Sequence, residues 1–167
     1  MRKTAVSAAL HVTIMAGSVV FFAGCPGNIS QPIKFNHKKH TQSVGLDCAE
    51  CHQFYKTSPV SGIPGVEVCK GCHQAALTDS PEEKKLLEYI NKGEEVPWER
   101  LYTVPDHVFY SHSRHVVVGK LECRECHGEI ASMEKPPSTP LKKITMTFCI
   151  KCHQNRKVTT DCSACHL

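Results

Sequence analysis

With 167 residues the chain has room for one or two small domains, which excludes a large multidomain enzyme. A formal net charge of +4 and a pI near 8.5 invite a nucleic-acid reading, but the marked departure in composition is 11 cysteines alongside 11 histidines. That pairing of residue types leaves disulfides, zinc, redox dithiols and a covalently held cofactor as the classes to separate.

The chain opens with Arg2 and Lys3, runs apolar from Thr4 to Ala23 and reaches Cys25 in FAGC, the layout of a secretory signal peptide over residues 1–24. Its end resembles the bacterial lipoprotein box, in which Cys25 would become the acylated N-terminus. The alternative is an uncleaved anchor: a run of about 20 residues matches ~30 Å of hydrocarbon, although His11 would be costly inside it. Either way the expectation is export and attachment to a bacterial membrane on its periplasmic face. Residues 25–34 read as a short Pro/Gly tether.

From Lys34, KFNHKKHTQSVGLDCAECHQ sets His37 and His40 ahead of Cys48, Cys51 and His52. At a shift of 75 the layout returns as FYSHSRHVVVGKLECRECHG, with His112 and His115 ahead of Cys123, Cys126 and His127. EVCKGCHQ, carrying Cys69, Cys72 and His73, echoes at a shift of 80 as TFCIKCHQ, carrying Cys149, Cys152 and His153. Duplication of a two-site unit accounts for both echoes. The second copy then has one further site, Cys162, Cys165 and His166.

Between the units, SPEEKKLLEYINKG predicts a helix with Ser80 as N-cap, Pro81 at its first position, Glu83 completing a capping box and Gly93 as the stop. Trp98 and Tyr102 are expected to pack against cofactors or in the seam between units. PPSTP from 136 to 140 is a loop, and Met133 and Met146 fill gaps rather than bind metal.

C-x-x-C-H is the attachment signature of c-type haem: two thiols add to the porphyrin vinyl groups and the adjoining imidazole binds the iron. One C-x-x-C could equally be a redox dithiol, half a zinc site or a disulfide. Five copies, each followed by His, use ten of the 11 cysteines and remove those alternatives, since none of them needs the histidine. The histidines then balance. Setting aside five motif histidines and His11, five remain for five opposite axial positions: His37, His40, His107, His112 and His115. Cleavage would leave about 143 residues, roughly 29 per haem, too few for an ordinary core, so packed haems must form it. Ten ionised propionates, with Arg2 and Lys3 removed, carry the net charge to about −8 in the ferrous state and about −3 in the ferric state. The lysines therefore read as propionate partners and solvated surface, with no nucleic acid as partner.

F-x-H-x-x-H followed by C-x-x-C-H resembles the small multihaem cytochromes of the c3 and c7 type. Over nearly all of residues 31–167, KFNHKKH, SGIPGVEVCKGCH, VPDHVFYSHSRHVVVGKLECRECHG and ITMTFCIKCHQ resemble the pentahaem cytochrome subunit of alternative complex III and its relative in the quinone reductase complex. The resemblance implies a periplasmic-side relay for electrons, with other subunits of a membrane redox complex or another cytochrome as partners. It also implies a ligand scheme, because in c7-type units the first His of H-x-x-H serves the unit's first haem and the second serves the next. His37 would then pair with His52, His40 with His73, His112 with His127 and His115 with His153, leaving His107 for the haem of His166. With only Leu167 beyond it, that last haem is expected to show an exposed edge where a partner docks.

The fold expected is mostly irregular with short α-helices, the haems forming its core. A two-haem unit over 35–78, a helical connector over 79–104 and a three-haem unit over 105–167 complete the organisation. With every iron held by two histidines, no position is left for substrate, so the chain is expected to transfer electrons without being an enzyme. The alternatives are a multihaem enzyme such as a nitrite reductase, which is larger and carries a C-x-x-C-K motif, and a subunit whose haems only hold the fold.

Overall fold

A computed structural model describes residues 28–166; the expected signal peptide and Cys25 lie outside the described residues. Each C-x-x-C-H sits on or at the end of a short helix: α1 (Cys48–Cys51), α2 (Val66–Lys70), α4 (Cys123–His127), α5 (Met146–Asn155) and α6 (Cys162–Cys165). A single helical turn suffices, because residues three apart share a face and both thiols then point the same way. Local chemistry starts these turns. Thr145 Oγ1 accepts from Phe148 N at 3.2 Å ahead of α5, and Glu122 and Glu125 form a reciprocal capping box on α4. The remainder is turns and loops, and among the described residues the regular strand-like pairing is one antiparallel bridge, Val108 to His166.

The longest helix among the described residues, α3 (Pro81–Lys92), lies between the two sequence repeats. Ser80 Oγ accepts from Glu82 N at 3.3 Å, Pro81 occupies the first turn and Gly93 closes the helix at φ +66°, a left-handed conformation natural to glycine. The expected capping box does not form. Ser80 N donates instead to Thr78 Oγ1 at 3.2 Å, and the Glu83 carboxylate turns back toward Leu77, Thr78 and His73. Four donors converging on one carboxylate outweigh the single Ser80 N–H a capping box would satisfy.

Residues 31–34 are docked on this connector rather than extending from it. Lys34 N donates to Glu82 at 2.7 Å, Gln31 exchanges two hydrogen bonds with the Glu99 backbone at 2.7 and 3.0 Å, and Ile33 is buried. The apolar core of the polypeptide is otherwise small: Ile33, Val66 and Val96 are the buried apolar side chains among the described residues.

The two repeats grip each other reciprocally. Lys38 N donates to Met133 O at 3.0 Å, and at a shift of 75 in both partners Ser113 N donates to Ser58 O at 3.3 Å. A contact in which residue i meets j while the copy of j meets the copy of i is the mark of a two-fold axis. In the same sense, Cys48 is a neighbour of Cys123, and His52 of His127. Both repeats also place a π-helical turn after the first histidine, Lys39–Ser43 and Arg114–Val118.

Candidate functional site

The H-x-x-H segments are held by an aromatic residue two positions ahead. Phe35 meets His37 edge-on at 4.8 Å and stacks on His40 at 4.3 Å; Tyr110 repeats this with His112 at 4.9 Å and His115 at 4.6 Å. The rings fix both imidazoles by packing alone. The five expected partners are then brought together. Ring centroids of His40 and His73 are 6.2 Å apart, His112 and His127 6.3 Å, His115 and His153 6.1 Å, and His107 and His166 5.6 Å. His37 sits beside His52: burial first, then the charges of His52 and His40, lower its pKa to about 4.

That spacing has chemical content. Imidazoles in direct contact stack closer, whereas a metal–nitrogen bond of roughly 2.0–2.1 Å on each side, plus a ring radius of about 1.1 Å each, separates trans imidazole centroids by about 6.3 Å. Three pairs fall within 0.2 Å of that figure, from 6.1 to 6.3 Å.

Nδ1 of six histidines is occupied. His40 reaches Asn36 O at 2.8 Å, His52 Gly62 O at 2.8 Å, His112 Pro59 O at 2.9 Å, His115 Ser111 O at 2.8 Å and His153 Thr159 O at 2.7 Å. His73 alone in this set reaches a carboxylate, Glu83 Oε1 at 2.8 Å. A carbonyl or carboxylate acceptor requires the proton on Nδ1, which leaves Nε2 with a free lone pair able to bind a metal. Gly62 is needed for its part: at φ +81° it approaches Phe54 so closely that a Cβ would lie 2.7 Å from the Phe54 ring. His37 Nδ1, by contrast, is buried without a partner.

Glu83 is 8 % exposed, and its carboxyl is held down to about 2, first by the Thr78 hydroxyl and then by the Leu77 N–H, with His73 and the Thr78 N–H adding to them against burial. His107 is positioned by main chain: the Val108–His166 bridge and a Phe109 N to Cys165 O bond of 2.8 Å lay its strand along the last motif.

The motifs neighbour one another through space. Burial pushes the Cys51 thiol up, and the charges of Glu50, Cys48 and Cys72 add to it, which sets the Cys69/Cys72 motif beside Cys48/Cys51. Burial and then Cys48 raise Cys123. Burial and then Cys152 raise Cys126, and burial and then Cys165 raise Cys149. Neighbouring thiols therefore link Cys72 to Cys51, Cys48 to Cys123, Cys152 to Cys126 and Cys165 to Cys149.

Comparison with known proteins bears on these motifs directly. The family described as "Cytochrome c7 and related cytochrome c" matches residues 108–167, and the "Class III cytochrome C family" matches residues 22–96. The menaquinone reductase multiheme cytochrome c subunit of Nitratidesulfovibrio vulgaris (strain Hildenborough) is 33% identical over 156 residues, covering 81% of this chain and 74% of the relative. The chain belongs to the multihaem c-type cytochromes.

In this cytochrome the two matched stretches fall on either side of the segment 97–107, between the H-x-x-H units. Its residues fit c-type haem: each motif offers two unpaired thiols and an imidazole, and a second imidazole stands opposite. Haem would bring the remaining iron ligands itself, and among the described residues no three potential protein ligands converge as a bare metal ion would require. Tyr102 belongs to the site as expected, edge-on to His127 at 4.6 Å, its hydroxyl accepting from Leu141 N at 3.1 Å. Met146 does not fill a gap; it is exposed at the start of α5.

Several positioning residues escape a reading of the sequence. Phe35 and Tyr110 were detectable, since an aromatic two residues before H-x-x-H recurs at the shift of 75. Asn36, Ser111, Pro59 and Thr159 act through backbone carbonyls, which any residue type supplies, and leave no signal.

Proposed function

We propose that this chain is a membrane-attached, periplasmic-side pentahaem cytochrome that relays electrons between a membrane quinone oxidoreductase complex and a redox partner. The observation that carries this is the set of histidine pairs spaced as trans ligands. Cys48/Cys51, Cys69/Cys72, Cys123/Cys126, Cys149/Cys152 and Cys162/Cys165 would hold the five groups, and His52, His73, His127, His153 and His166 would be their own ligands. His37, His40, His112, His115 and His107 would complete the second axial positions in that order.

Haem supplies one-electron chemistry, ferric to ferrous, at low potential when two imidazoles bind it. The polypeptide's part is to hold both imidazoles through the Nδ1 bonds and aromatic packing, so that ligands need not move on reduction. Because each motif has a histidine opposite it, no side is left open for substrate. That favours a relay over a nitrite-reductase-like enzyme or a subunit whose haems serve only the fold. The named relative is a menaquinone reductase subunit, and a complex of that kind is the proposed partner. None of the described helices is long and apolar enough to cross a membrane, and attachment is assigned to Cys25. Replacement Cys25→Ser is expected to leave unprocessed precursor, and normal cleavage of that variant would remove the lipid anchor from this account.

A redox titration of the purified protein tests the relay. All five haems should respond, and His107→Met should raise the potential of one alone, because Met/His ligation favours the reduced state. A haem that never titrates argues for a structural role. A potential unmoved by His107→Met would refute the pairing with His166.

A further inference from the structure

One contact at which the two repeats differ involves a buried charge. His73 and His153 occupy equivalent places in the echo of EVCKGCHQ and TFCIKCHQ, and each uses Nδ1 to hold its ring. His153 donates to a neutral carbonyl, Thr159 O at 2.7 Å, whereas His73 donates to the carboxylate of Glu83 at 2.8 Å. The carboxylate is no incidental neighbour. It is buried, and Oε1 also accepts from Leu77 N at 2.9 Å while Oε2 accepts from Thr78 N at 2.8 Å and from the Thr78 hydroxyl. Of the twelve residues of α3, Glu83 is the one that is buried.

We propose that Glu83 is a positioning and tuning residue that lowers the potential of the haem at Cys69/Cys72/His73 below that of its repeat counterpart at Cys149/Cys152/His153. This rests on the assignment of His73 as a haem ligand. Reduction adds one electron and lowers the charge on the iron by one. A fixed negative charge hydrogen-bonded to the ligand makes the imidazole more basic and favours the more positive, ferric state. Oxidised and reduced states both keep the Nδ1–H to Glu83 bond, so no proton need move.

The test compares holoprotein potentials, measured by mediated spectroelectrochemical titration, for the native chain, Glu83→Gln, Glu83→Asp and Thr78→Val. Glu83→Gln keeps an acceptor of the same size but removes the charge. It should move one of five potentials upward, by about a tenfold change in the ferric/ferrous ratio, which is 59 mV for one electron. Glu83→Asp keeps the charge and should move it less. Thr78→Val removes a competing donor from the carboxylate without touching His73, and should shift the same haem downward. If Glu83→Gln fails to accumulate, the Thr78→Val shift still decides the matter.

Equal shifts for Gln and Asp would assign the effect to packing and overturn the proposal, as would five unmoved potentials in a protein whose mass shows five haems. A native mass lacking the haem at Cys69/Cys72 would instead remove the ligand assignment on which it rests.

Discussion

Produced without haem attachment, the chain is expected to be unfolded, with neither a cooperative thermal transition nor protected backbone amides. Among the described residues, three buried apolar side chains, Ile33, Val66 and Val96, stand against thirteen large hydrophobic side chains left exposed by the polypeptide alone, Phe54, Phe109, Val117 and Val118 among them. Burial of a Val or Ile side chain contributes ~1.5–3 kcal/mol. Ordering the backbone costs roughly 1–2 kcal/mol per residue, which over this length is on the order of 100 kcal/mol. The deficit is too large for surface ion pairs such as Lys38–Glu134 at 2.8 Å to offset, since exposed pairs contribute about 0–1 kcal/mol each. Circular dichroism and hydrogen exchange on chain produced without the attachment machinery check this, and a cooperative melt of the apo chain would contradict a haem-built core.

Replacing Cys48 and Cys51 together by Ala should cut the relay in two. That motif neighbours both the Cys69/Cys72 site and Cys123, which would set it in the middle of a single file. Electron tunnelling falls steeply with distance, so losing a member from the middle of the file should slow transfer across it by orders of magnitude. The paired control, Cys162→Ala with Cys165→Ala, removes an end and should leave transfer among the remaining four unchanged. Flash-induced reduction followed optically in variants with four attached haems distinguishes the two. Equal rates would show that the sites do not lie in single file.

Much of the site was legible because its chemistry is carried by residue types in fixed spacing. C-x-x-C-H needs two thiols and an imidazole within one helical turn, and no other residues can stand in for them. The helix Pro81–Lys92 was likewise marked by Ser80, Pro81 and Gly93. Glu83 shows where local reasoning stops. S-x-x-E fits a capping box, and nothing near it signals that His73, ten residues upstream, competes for the same carboxylate. The two-fold grip of Lys38 on Met133 and Ser113 on Ser58 was hidden for another reason: it is made by main chain, and only the shift of 75 in both partners betrays it.

Ten histidines closing five irons is the claim on which the relay, the haem-built core and the tuning by Glu83 all depend. Spin quantification of the fully oxidised protein by electron paramagnetic resonance measures it directly. Five low-spin ferric centres per chain, with no high-spin component before or after addition of an exogenous ligand, is the result this account predicts. Fewer than five spins, or a high-spin signal from an iron with an open side, would contradict it.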